Sequence, residues 1–193
     1  MLRRLPVLPT IIVLIAVGVM LRLGLWQLDR LHQKEDLLAR YATAAGNRDV
    51  VVWPAIGDDG EPMLYRRARL DCESATTLSA QAGRNRQGES GVAITAHCRT
   101  PATDDALVVL GWSLAPDLPE WRGGEVTGII APGPRLVADP PVAGLAANAV
   151  PDPADVPNNH LSYAVQWFLF AFVAVVIYAL AVRKRLAGNS DER

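Results

Sequence analysis

Residues 158–185 read NNHLSYAVQWFLFAFVAVVIYALAVRKR, and the architecture turns on this stretch. Residues 161–182 carry no charge, and Arg183, Lys184 and Arg185 follow at once. A hydrocarbon core about 30 Å thick needs roughly 20 apolar residues at about 1.5 Å rise each, so the segment predicts a membrane-spanning helix over 161–182. His160, Tyr163 and Trp167 stand where that helix meets the bilayer surface, at spacings that put them on one helix face. An imidazole placed there has the chemistry of a metal ligand.

Working outward, a second apolar run covers residues 5–21 and continues past Arg22 to residue 28. Arg22 either snorkels to the headgroups or faces a partner helix, and the span is expected over 11–28. A cleaved signal peptide competes with this reading. Against it, the run is long, and its only small-x-small triplet, Ala16-Val17-Gly18, lies inside it rather than after it. Orientation follows from the bias of Lys and Arg toward the cytoplasmic side. Arg183-Lys184-Arg185 follow the second span, whereas residues 151–162 hold Asp152 and Asp155 but no Lys or Arg. Residues 1–10 and 183–193 are therefore expected in the cytoplasm and residues 29–160 outside it. In a bacterium this makes a multi-pass inner (plasma) membrane protein with a periplasmic domain. Arg30 and Lys34 oppose the bias locally, and the second span decides.

The near balance of 19 basic and 20 acidic residues gives no whole-protein field for nucleic acid. Residues 29–160 hold 18 acidic against 12 basic side chains, so the basic excess lies in and beside the apolar ends. Leu31, Leu37, Leu38 and Tyr41 recur at roughly helical spacing, which carries the first helix out of the bilayer as far as Gly46. Beyond it, β-like runs at 50–53, 65–73, 76–82, 92–99, 106–112, 126–130 and 135–137 alternate with turn residues. Seven prolines between 132 and 157 mark an extended return to the membrane. The expected fold is an α+β membrane protein, two transmembrane helices flanking a small antiparallel β-rich extracytoplasmic domain, as a sandwich or barrel.

Cys72 and Cys98 fall in separate strand-like runs, and in an oxidising compartment a cross-strand disulfide is the plain reading. With His97 they would instead form a copper or zinc site, which a bonded pair of sulfurs excludes. Arg66, Arg67 and Arg69 alternate faces in a strand and do not converge on an anion. There is no Gly-x-Ser-x-Gly, nucleotide-binding glycine motif or His-Glu-x-x-His, so an enzyme is not expected.

The two membrane ends lie at similar depth on one side of the bilayer. The first supplies Trp26, Gln27, Arg30 and Lys34; the second supplies His160, Tyr163 and Trp167. Interfacial Trp and Tyr and anchoring cations are common in any membrane helix, and Asn158 or Asn159 suits a helix cap. Against that background, a neutral histidine at a helix start is a good axial ligand for haem iron. Arg30 or Lys34 suits the propionates.

Gly24-Leu25-Trp26-Gln27-Leu28-Asp29-Arg30 resembles the Gly-x-Trp-Gln-x-x-Arg motif that ends the first helix in the Surfeit locus protein 1 family. Asn158-Asn159-His160-Leu161-Ser162-Tyr163-Ala164, with Trp167-Phe168, resembles the same family's signature before its second helix. Tyr65-Arg66-Arg67-Ala68 and residues 107–112 are similar to its weaker internal motifs. The chain departs from the pattern at Leu110-Gly111-Trp112, where an Arg usually precedes Gly-Trp, and in a compressed segment between Gly128 and Asn158. The resemblance implies an assembly factor for cytochrome c oxidase that binds haem a and supports its insertion into subunit I. Other oxidase assembly factors and the lipid bilayer are the further partners implied. The family's haem-ligand histidine maps onto His160, with Trp26, Gln27, Arg30, Tyr163 and Trp167 as pocket or packing residues. A cofactor-free scaffold for an oxidase intermediate and a copper handler using Cys72, His97 and Cys98 stay open.

Overall fold

The computed structural model describes residues 6–188. The chain divides into a helical unit, formed by residues up to Leu37 and from Pro157 onward, and a β unit, Leu38–Val156.

In the helical unit, α1 spans Val7–Gly46 and α2 spans His160–Gly188. Both are long and apolar enough to cross a membrane. Forty residues at about 1.5 Å rise make α1 about 60 Å long, twice the thickness of a hydrocarbon core. Ile12, Ile15 and Leu25 on α1 and Phe172, Ile177 and Leu180 on α2 are exposed, as lipid-facing side chains are. The helices run antiparallel, with Thr10 beside Tyr178 at one end and Gln27 beside His160 at the other. Residues turned from the surface recur every three or four positions: Thr10, Val13, Val17, Met20, Gly24 and Gln27 on α1, and Ala164, Trp167, Ala171, Ala174 and Tyr178 on α2. That 3.5-residue repeat is the signature of two helices sharing a seam. Lipid tails are as apolar as leucine, so association in the bilayer rests on close packing of small residues. Gly24, Ala164 and Ala171 are the buried members. A Cβ on Gly24 would lie 2.6 Å from Phe168 Cε1, so the glycine makes room for that ring. Arg22 is exposed, off the seam, which leaves snorkelling as its means of staying charged.

The β unit holds β1 (Val51–Val52), β2 (Arg67–Cys72), β3 (Ser74–Arg84), β4 (Ser90–Arg99), β5 (Ala106–Ser113), β6 (Gly124–Ala131) and β7 (Arg135–Ala138). They form one sheet in the order β1-β2-β6-β7-β5-β4-β3. Its core comes from alternate residues: Ala68, Leu70 and Cys72; Ile94, Ala96 and Cys98; Ala106, Val108 and Leu110; Val126 and Ile130; Leu136 and Ala138. Cys72 and Cys98 are joined by a disulfide with Cα atoms 5.3 Å apart, buried in this core.

The expectation of an antiparallel sheet needs correction, because the sheet is mixed. β1 pairs with β2 in parallel, and β7 pairs with β5 in parallel. The tight turn through Pro132, Gly133 and Pro134 folds β7 antiparallel onto β6. The longer connection over 114–123 then lets β7 insert between β6 and β5, which fixes its direction relative to β5. β5 is consequently covered on both faces: Val109 packs with Ala131 and Val137 opposite the main core. Within this unit, which takes in α1 from Leu38 onward, Tyr41 packs on Tyr65 with ring centroids 4.9 Å apart.

Candidate functional site at one end of the helix pair

The helical unit brings two of the sequence-selected residues into contact. His160 is the first residue of α2 and Gln27 lies in the α1 seam one turn beyond Gly24. The ring nitrogen Nδ1 of His160 lies 2.7 Å from Gln27 Oε1. An amide oxygen only accepts, so Nδ1–H donates to it. The other ring nitrogen, Nε2, has no hydrogen-bond partner among the described residues. His160 is half-buried as a residue, and Nε2 remains open to a ligand.

Around this pair the remaining candidates are more open. Trp26 and Tyr163 are 45% and 52% exposed, which leaves broad aromatic surface uncovered. Trp167 is half-buried and makes an edge-on contact with Phe170, ring centroids 6.1 Å apart. Arg30 donates to Gln33 Oε1 at 2.7 Å, and neither Arg30 nor Lys34 has a carboxylate partner among the described residues. The described geometry joins none of Trp26, Arg30, Tyr163 or Trp167 directly to His160.

The expected asparagine cap does not form. α2 opens on a backbone bond, from Tyr163 N–H to the Asn159 carbonyl at 3.2 Å. The Asn158 side-chain oxygen is buried without a partner among the described residues. Asn159 holds the position before the first helical residue, yet neither asparagine side chain bonds an α2 amide among the described residues.

At the opposite end of the seam, Thr10 donates to the Pro6 carbonyl at 2.8 Å and its hydroxyl is paired with Tyr178. The two polar pairs bracket an apolar stretch, so the helices are pinned at both ends.

In the β unit, the grouping of Cys72, His97 and Cys98 offers no thiolate, because the sulfurs are bonded to each other. His97 Nδ1 is paired with the Asp105 carboxylate. A feature absent from the sequence reading is Asp139, which receives Arg67 at 2.9 Å and Arg86 at 2.8 Å. Arg67 also donates to the Asp139 backbone carbonyl at 3.0 Å. Burial alone would push the Asp139 carboxyl up, but the hydrogen bonds from Arg86 and Arg67 outweigh it and hold it below the ordinary carboxylate value. Arg67, expected on a solvated strand face, is thus a structural clasp from β2 to the end of β7. Tyr65 stays protonated beyond its ordinary range, because burial and the nearby Tyr41, Asp152 and Asp155 all disfavour a phenolate.

Comparison with protein-family models matches residues 14–172 to the SURF1 family. That range begins inside α1 and ends inside α2, so it takes in the whole β unit and both ends of the helix pair that face it in sequence. Comparison with curated proteins finds no match.

Proposed function

The chain belongs to the SURF1 family, whose members serve cytochrome c oxidase assembly, and from that premise we propose that it binds haem a and supports its insertion into oxidase subunit I. The family is one of assembly factors and not of catalysts. The single observation that carries the haem reading is the hydrogen bond from His160 Nδ1–H to Gln27, which leaves Nε2 without a partner among the described residues.

The residues present fit a haem. When bound, the macrocycle would bring an iron that takes an axial nitrogen and propionates that take cations. His160 would hold the iron through Nε2. Trp26, Tyr163 and Trp167 would offer aromatic faces to the ring, and Arg30, free of any carboxylate among the described residues, would meet a propionate. Gln27 holds the imidazole. The surroundings are lipid-facing helix surface, which suits a hydrophobic cargo that must leave again for another membrane protein. The disulfide in the β unit supports a location outside the cytoplasm, in the periplasm of a bacterium, with both termini cytoplasmic and the helices in the inner membrane.

The test is the haem a content of subunit I isolated from cells that carry either the wild-type chain or His160→Ala as their sole copy. The variant is expected to leave subunit I deficient in haem a while inserting into the membrane normally. Full haem content in the variant cells, together with co-purification of subunit I from cells unable to make haem a, would replace this reading by a cofactor-free scaffold.

A further inference from the structure

We propose that Gln27 is a positioning residue that selects the histidine tautomer and sets how strongly His160 holds its ligand. This rests on the haem reading above and gives that site its second residue. A neutral imidazole carries one proton, and in water it exchanges between two tautomers. Only the tautomer with a bare Nε2 can bind a metal there. Gln27 Oε1 has lone pairs and no proton, and at 2.7 Å it holds the proton on Nδ1. The tautomer is therefore chosen before any ligand arrives, and the ring is prevented from turning about its Cβ–Cγ bond.

The identity of the acceptor matters as much as its position. Metal-ligating histidines commonly donate their second N–H to a carboxylate or a carbonyl, and removing that acceptor typically costs about 10- to 100-fold in affinity. A carboxylate draws the proton toward itself and makes the imidazole a stronger donor. A neutral amide keeps it an ordinary one. For a protein that passes its cargo on, the weaker donor is the fitting choice: oriented, but releasable. Both residues sit on helices whose seam is closed by Gly24, Ala164 and Ala171, so the pair is held by rigid elements rather than by loops.

Two measurements on the full-length protein test this. The first needs no haem. With ¹⁵N-labelled histidine in detergent micelles, long-range proton–nitrogen correlation reads which ring nitrogen of His160 is protonated, the signals being assigned by their loss in His160→Ala. The wild type should show a protonated Nδ1 and a bare Nε2, and Gln27→Ala should show both tautomers. A wild-type spectrum with protonated Nε2, as a Gln27 amide turned the other way round would give, overturns the inference. So does a Gln27→Ala spectrum unchanged from wild type. The second uses protein purified from haem a-producing cells. Gln27→Ala should release haem to apomyoglobin about 10- to 100-fold faster. Gln27→Glu should retain haem, release it more slowly than wild type and show a more negative midpoint potential. An unmoved potential and release rate in Gln27→Glu count against the proposed role of the amide. Failure of the haem reading would look different: His160→Ala would keep its haem, while the tautomer result in the empty protein would stand.

Discussion

Gly24 is where the geometry of the helix pair is most exposed to a single methyl group. A Cβ at this position would lie 2.6, 2.8 and 3.0 Å from three atoms of the Phe168 ring. Carbon atoms rest about 3.5–4.0 Å apart, so Gly24→Ala demands that the ring or the helices move by about 1 Å. Overpacking of this kind costs about 1–3 kcal/mol, which lowers the population of the native pairing by about five- to 150-fold relative to its alternatives. Gln27 is one turn away, and its bond to His160 would stretch from 2.7 Å beyond hydrogen-bond range. The expected outcome in the histidine-labelled protein is loss of the fixed His160 tautomer, with the β unit unfolding at the wild-type denaturant concentration. Phe168→Leu removes the atoms that the methyl group meets, so Gly24→Ala/Phe168→Leu should recover much of the His160 signal. Strict additivity of the two substitutions, or an unaltered His160 spectrum in Gly24→Ala, would refute the idea that this contact sets the helix phase.

Other expectations concern the β unit. Replacing Cys72 and Cys98 with Ser releases a bridge across a sequence separation of 26, which by loop entropy lowers stability by about 3.5 kcal/mol; the denaturant midpoint of tryptophan fluorescence reads it. Asp139→Asn is expected to cost about 1–2 kcal/mol at neutral pH, since two partly exposed arginines lose a charged acceptor. Because the folded carboxyl is held below its unfolded value of about 3.9, the wild-type advantage is fully present above that pH and is lost as pH falls through the folded value. Acid titration of both proteins should therefore show their stabilities converging at low pH; a gap that persists would assign the effect to packing instead.

Much of this fold is legible as pattern. Each of the seven β-like runs overlaps a strand, and the leucine spacing after the first span carries α1 to Gly46 as expected. Strand direction is not legible, because a period of two tells which face a residue takes and nothing about which strand lies beside it. The parallel pairing of β5 with β7 depends on how the connection over 114–123 crosses the sheet. The candidate site divides in the same way. That Gln27 and His160 share one end of a helix hairpin follows from topology. That they touch depends on the rotational phase of two helices, which Gly24 and its alanine partners decide. The seven-residue spacing of Ala164, Ala171 and Tyr178, two helical turns each, was the signal that could have located the seam. Asn158 and Asn159 had the right chemistry for capping, but among the described residues neither side chain bonds an amide of the first turn, and α2 shows only its first backbone bond there. Asp139 carries no motif at all. Its partners lie far from it in sequence, on β2 and in the turn between β3 and β4, and only the fold assembles them.

The measurement closest to the central claim is the absorption spectrum of the purified full-length protein and its His160→Ala variant, both from cells making haem a. The expected result is a haem band in the wild-type protein that is lost in the variant, with equal amounts of both in the membrane and equal denaturant midpoints for their β units. A band of undiminished height in His160→Ala would contradict the assignment of His160 as the axial ligand.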